Sequence, residues 1–438
     1  MHLCSEWRLP SVIGVTEATI ELGRGSAGTW QGYQAATPAY RRMLIGLGAA
    51  GVATFAQLYA PQGLLPTLAH DLQVDASQAA LSMSVATWGV AIAVLGWSWI
   101  ADRIGRLRAM KIAISTAAVF GLLVALSPGI ESLLAVRFLE GLALGGLPAL
   151  AMTYLHDEVH HRHSAAAAAA YISGTTIGGA SGRLIAGPLT ELVGWRWALA
   201  GVALVCLGAA LVFLELMPPA RSFTPQRDTD WSVLAANIGH CLGDPKLLAL
   251  YAQPLLIMGG LVAVYNYLGF RLEGPAFGLP VIAASLIFAA YSAGTVSSRL
   301  VGHWVPRFGR GRVLTTGTAA VIIGTSLTLS DQLTLVISGL LILTAGAFVV
   351  HAVASTWVGH HAKVGRAQAT ALYNVALYTG SASVGWLAGF AWLGLGWSAT
   401  AFLVIGLALV ALVIGLLGHH RTPDHLDEPA DALSAGPA

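Results

Sequence analysis

Apolar runs, each about as long as a bilayer is thick, alternate along this chain with short polar links. A membrane-spanning helix takes roughly 20 mainly apolar residues. Twelve such segments are legible, at 43–68, 77–100, 108–127, 131–155, 165–192, 195–217, 246–270, 280–302, 312–330, 333–357, 367–391 and 397–418. Most links are a few residues long, which makes consecutive segments antiparallel. The longest, 218–245, is polar, contains the run PQRDTD, and divides a six-segment first half (43–217) from a six-segment second half (246–418). Residues 1–42 show neither periodicity nor the pattern of a cleaved leader. They are expected to form a disordered cytoplasmic extension, with Met43 as an alternative start of the natural chain, and 419–438 a cytoplasmic tail. The expected fold is an all-α integral membrane bundle of twelve helices.

Charge orients the bundle. With both termini in the cytoplasm, the inside segments hold 18 of the 23 Lys and Arg, and the outside links hold only Arg196 and Arg271. The outside links carry acids instead: Asp71, Asp75, Glu131, Glu191, Glu273 and Asp331. Lys and Arg collect on the cytoplasmic side of membrane proteins, and losing one segment would scramble this asymmetry. Arg137, Arg183 and Arg299 remain inside segments.

Composition excludes several function classes. Of 438 residues 56% are hydrophobic and 10% charged, against roughly 25% charged in soluble domains; mean hydropathy is +0.70. Fifty-one glycines suit close helix packing in lipid. A net charge of +2 gives nucleic acid nothing to bind. Cys4, Cys206 and Cys241 have neither disulfide-framework nor zinc spacing. No GxxxxGKS phosphate loop is present, which disfavours ATP-driven transport. No nucleophile–base constellation marks an enzyme, and no cofactor or metal is expected. The clustered His160, His161, His163, His360 and His361 lie in links and read as solvated positions rather than ligands.

The halves repeat. Asp102-Arg103-Ile104-Gly105-Arg106 after segment 2 returns as Pro306-Arg307-Phe308-Gly309-Arg310 after segment 8; His160-His161 matches His360-His361, and Gly187 and Trp195 match Gly389 and Trp397. The offset stays within 200–204 positions. Parallel six-helix repeats are a transporter architecture, with the substrate site between the halves near the midplane.

The run Ser98 to Arg106, SWIADRIGR, resembles the major facilitator signature GxLaDRxGR, with Ser98 in place of the first Gly. Arg137-Phe138-Leu139-Glu140-Gly141 resembles the RxxqG signature of the fourth helix. Gly178 to Gly187, GGASGRLIAG, resembles the antiporter signature GxxxGPxxGG of the fifth, with Arg183 in place of Pro and Ala186 in place of Gly. In the stretches YISGTTIGGASGRLIAG and HAVASTWVG, and over about 43–418 as a whole, the chain most resembles the YnfM-type, arabinose-efflux-like bacterial inner-membrane transport proteins. The resemblance implies that Asp102 meets the N-terminal end of segment 11 and gates the cycle, with Arg103, Gly105 and Arg106 shaping the loop, and that Arg137 takes part in proton coupling. A simple topogenic turn and a structural ion pair are the alternatives.

Arg137 and Glu140, three apart, share a helix face. Equal depths of about 13 Å from the outside, at 1.5 Å per residue, predict that Glu140 pairs with Arg183 on the next segment. Arg183 is also a candidate contact for an anionic substrate. His351 is a packing residue or a proton carrier. Gln57, Tyr59, Gln62, Tyr171, Tyr265, Asn266, Tyr267, Tyr373 and Asn374 are cavity candidates, because aromatic bodies with polar tips suit a small amphiphilic solute. The expected protein is a monomeric inner-membrane carrier that exports a small organic solute in exchange for protons. Proton-coupled uptake of a small anion is one rival, and a membrane sensor or scaffold without transport is another.

Overall fold

The computed structural model describes residues 32–35, 37–222 and 231–419. The PQRDTD run, most of the N-terminal extension and almost all of the tail lie outside them. The described chain is nearly all helix: α1 (Pro38–Asp71), α2 (Ala76–Ile104), α3 (Arg106–Ala125), α4 (Ile130–Glu158), α5 (Ser164–Val193), α6 (Trp195–Leu216), α7 (Trp231–Gly243), α8 (Pro245–Glu273), α9 (Val281–Phe308), α10 (Arg310–Leu327), α11 (Leu333–His361) and α12 (Arg366–His419). Nine of these, among the described residues, are long and apolar enough to cross a membrane, α12 counted once. Two non-helical residues, Leu395 and Gly396, bend α12 where the sequence separates its last two segments.

The breaks have local causes. Gly105, Gly194, Gly309 and Gly396 sit at φ of 94°, 81°, 80° and 65°, a region that favours glycine because it has no Cβ. Gly105 and Gly309 close the two copies of the basic loop motif, and Gly194 and Gly396 each precede a buried Trp, Trp195 and Trp397. The repeat read from the sequence thus recurs in backbone conformation. Pro61 interrupts α1 with a 3-10 turn over Ala60–Leu64. The sequence also misjudges two boundaries. The first helix starts at Pro38 rather than Met43, because the Thr37 side chain accepts the Tyr40 amide and caps it. Tyr33 of the expected disordered stretch is buried: its amide donates to Glu158 O at 2.8 Å and its hydroxyl to Pro219 O at 2.8 Å. The central link, read as a loop, contains α7.

Small residues bring the helices together. A Cβ on Gly174, Gly178 or Gly182 of α5 would lie 2.2–2.6 Å from the α1 backbone, and one on Gly380 of α12 would lie 2.2 Å from Leu255 O of α8. Helices in lipid lack a hydrophobic drive toward each other and associate through such close backbone packing. The halves meet mainly toward the end that carries the acidic links. There Trp88 packs edge-on against Trp386 at 5.8 Å, Gly389 lies against Ser77, Gly187 against Ser285, and the Ile282 amide donates to Glu191.

Candidate functional site

Two buried charge centres flank α1. In the first, Glu140 and Arg137 of α4 form an ion pair, each only 1% exposed. Gln57 of α1 donates its Nε2 to Glu140 Oε1 at 2.6 Å and to Ala117 O at 2.5 Å. Gly121 of α3 makes room for that amide, since a Cβ there would sit 2.3 Å from it. Arg137 uses three more donors on backbone carbonyls: Ser82 O at 3.2 Å, Gln57 O at 3.3 Å and Leu58 O at 2.7 Å. Pro61 has no N–H to return to Gln57 O, four residues earlier. The proline break in α1 therefore opens acceptors that the guanidinium fills. A small cavity lined by Gln57, Pro61, Gly121, Arg137, Glu140 and Leu199 adjoins this pair.

The second centre is Arg183 of α5, also 1% exposed. Its Nε donates to Gln62 Oε1 at 2.7 Å, Nη1 to Gly179 O at 2.6 Å, and Nη2 to the Tyr291 hydroxyl of α9 at 3.2 Å. The guanidinium carbon lies 4.1 Å from the Tyr59 ring centre and 4.3 Å from that of Tyr291. Gln62 continues across the halves, its Nε2 donating to Asn266 Oδ1 at 2.6 Å, and Asn266 Nδ2 donates to Gly385 O at 3.3 Å.

The expected Glu140–Arg183 pair is therefore not formed; each charge has other partners. Segments 4 and 5 follow each other in sequence, but α1 stands between α4 and α5, with Gln57 turned to one and Tyr59 and Gln62 to the other. Equal depth placed the two charges in one layer without making them neighbours.

The other candidates divide. Tyr265 stacks on Phe288 and Tyr291 beside Arg183, and its hydroxyl shares a hydrogen bond with Thr344 at 2.9 Å. The Tyr171 hydroxyl is buried without a hydrogen-bond partner among the described residues. Tyr267 donates to Trp386 O at 3.3 Å. Tyr373 and His351 bond each other, hydroxyl to Nδ1, at 2.9 Å, which gives His351 a packing partner. Asn374 is partly exposed and makes no hydrogen bond among the described residues. Tyr291 and Phe288 are not among the expected cavity residues, although Tyr291, a tyrosine between small residues in an apolar segment, carries the same signal as Tyr171 and Tyr265. Among the described residues no group of three His, Cys, Asp or Glu could hold a metal ion.

Residues 47–305 and 273–436 match the family model described as Major Facilitator Superfamily. The chain belongs to the Major Facilitator Superfamily. It is 36% identical over 385 residues to the inner membrane transport protein YnfM of Escherichia coli (strain K12), covering 88% of this chain and 92% of that one. It is 35% identical over 394 residues to the uncharacterized MFS-type transporter YybF of Bacillus subtilis (strain 168), covering 90% and 97%. A crystal structure of nucleoside transporter NupG shares the fold with a TM-score of 0.66 at 15% identity, covering 87% of this chain and 98% of that one. This protein is thus a multi-pass inner-membrane transporter, not an enzyme.

In this major facilitator protein the basic loop motif lies at the end opposite the inter-half contacts. Gly105 makes the turn, Arg106 pairs with Asp157, and Arg103 stacks 3.7 Å over Trp99. Asp102 is partly exposed and takes no hydrogen bond from a described residue. In the second half, Asp244 caps α8 through the Lys246 and Leu247 amides and meets His361 at 2.9 Å. Burial alone would raise its carboxyl, but those amides and the His361 ring hold it below the usual carboxylate range.

Proposed function

We propose that this transporter exports a small organic solute across the inner membrane by alternating access, driven by protons exchanged at Glu140. The observation that carries this reading is the buried Glu140 carboxylate, held by Arg137 and Gln57 next to a cavity between helices. A charge inside the membrane is costly and needs its partner. Protonating Glu140 weakens its hold on Arg137 and on the Gln57 amide of α1, so a proton is linked to the packing of α1 on α4. With the termini cytoplasmic, as the distribution of Lys and Arg favours, the joined end of the bundle is periplasmic and the arrangement described above opens to the cytoplasm. That Asp102 takes no hydrogen bond from a described residue fits that state, since a contact with the N-terminal end of segment 11 would hold the cytoplasmic end closed. The direction of export rests on the likeness of segment 5 to the antiporter signature.

Inside-out vesicles with an imposed pH gradient, acid inside, test this. Export predicts that a solute found by resistance screening of a deletion strain accumulates in the vesicles. Accumulation only in right-side-out vesicles would establish uptake instead. Arg183, a buried cation with no carboxylate partner among the described residues, favours a small anion as the solute in either direction.

A further inference from the structure

Three arginines are buried among the described residues: Arg137, Arg183 and Arg271. Arg137 has Glu140, and Arg271 has Asp331 at 3.0 Å. Arg183 has no carboxylate partner among the described residues. A guanidinium carries five N–H donors, and three here have acceptors: an amide oxygen, a backbone carbonyl and a phenol. Two N–H groups and a full positive charge are left inside the bundle. The Tyr59 and Tyr291 rings stacked over the guanidinium soften that charge through their π-faces without neutralising it. Both tyrosines are partly exposed, although Arg183 itself is buried.

We propose that Arg183 is the receptor for the anionic head of the transported solute, and that the solute is a small organic monocarboxylate with a flat or apolar body. This rests on the transporter reading above but holds for either direction of transport. Carboxylate is the match because a guanidinium binds it through two parallel hydrogen bonds. One cation with neither a carboxylate nor a second cation beside it among the described residues selects a single negative charge. The Tyr59, Tyr265, Phe288 and Tyr291 rings supply an apolar, stacking surface for the body of the solute. A carboxylate bound to the two N–H groups without acceptors draws the guanidinium away from Gln62 and Tyr291. Because Tyr291 belongs to the second half and Gln62 holds Asn266 there, binding loosens the joint between the halves. Solute charge is thereby linked to the opening of the joined end.

Purified full-length protein in nanodiscs, at pH 7.5 and constant chloride, tests this by thermal stabilisation with matched acid and amide pairs: benzoate and benzamide, phenylacetate and phenylacetamide, nicotinate and nicotinamide. The expected result is that at least one acid binds about tenfold or more tighter than its amide, the scale of a charge-assisted hydrogen bond. Arg183→Gln should abolish that preference. Gln62→Glu supplies a built-in carboxylate next to Arg183 Nε at the cost of the hydrogen bond to Asn266; it should still melt cooperatively and lose acid binding. Amides binding as tightly as acids, or Gln62→Glu binding the acid like the wild type, would overturn the proposal. Flux into proteoliposomes separates the two readings. Acid binding that depends on Arg183, without flux, removes solute transport and leaves the anion site. Flux of amides at the rate of acids removes the anion site and leaves transport.

Discussion

At the scale of single residues, the Arg137–Glu140 pair follows from spacing alone, because side chains three apart on a helix meet. The partners of Arg183 do not follow from spacing. Beyond Gly179 O of its own helix they come from α1 and α9, and nothing in a sequence says that a fifth helix packs on the first rather than on the fourth. The pair also carries the coupling role, and that makes a prediction. Glu140→Gln keeps the size and one of the two accepting oxygens but cannot release a proton, so its transport should lose the pH dependence that the wild type shows. Glu140→Ala leaves Arg137 charged and unpaired and should cost about 3–5 kcal/mol, read as a lowered melting temperature in nanodiscs. Wild-type rate and pH profile in Glu140→Gln would remove Glu140 from the coupling.

At the scale of elements, the sequence foretold where helices run because length and hydropathy decide that in lipid. It missed the 3-10 turn at Ala60–Leu64 and the interruption of α4 at Gly145, since a continuous apolar run hides a local change of hydrogen bonding. The 3-10 turn matters most: it frees the carbonyls that Arg137 takes. Glycine content pointed to close packing, but only the structure says which glycines carry it. Gly182 leaves 2.3 Å between a Cβ and Ala56 O, whereas a Cβ on Gly208 meets nothing within 4 Å. Gly182→Val should therefore separate α1 from α5, lower the melting temperature by several degrees and abolish transport, while Gly208→Val should melt within about 1 °C of the wild type, as expected of a substitution away from any such contact. Equal melting temperatures for the two variants would mean that the α1–α5 contact is not what holds the first half together.

At the scale of the whole molecule, the central claim is that the two halves rock about a site between them, so that one end closes as the other opens. The described arrangement joins the halves at the end with the acidic links, and at the other end Asp102 takes no hydrogen bond from a described residue. Charge–dipole contacts of the kind proposed for Asp102 are worth about 0.3–1 kcal/mol when exposed and up to about 2 when partly buried, enough to shift two nearly balanced states. Distances between spin labels measure this directly. One pair, Leu126→Cys with Leu395→Cys, reports on the acidic end, and His161→Cys with Val364→Cys reports on the basic end; these positions are exposed, and Cys4, Cys206 and Cys241 are replaced by Ser. Alternating access predicts two distance populations for each pair, changing reciprocally with pH, and a shift by Asp102→Asn toward short distances at the acidic end and long ones at the basic end. A single population at both ends, unmoved by pH or by Asp102→Asn, would contradict it.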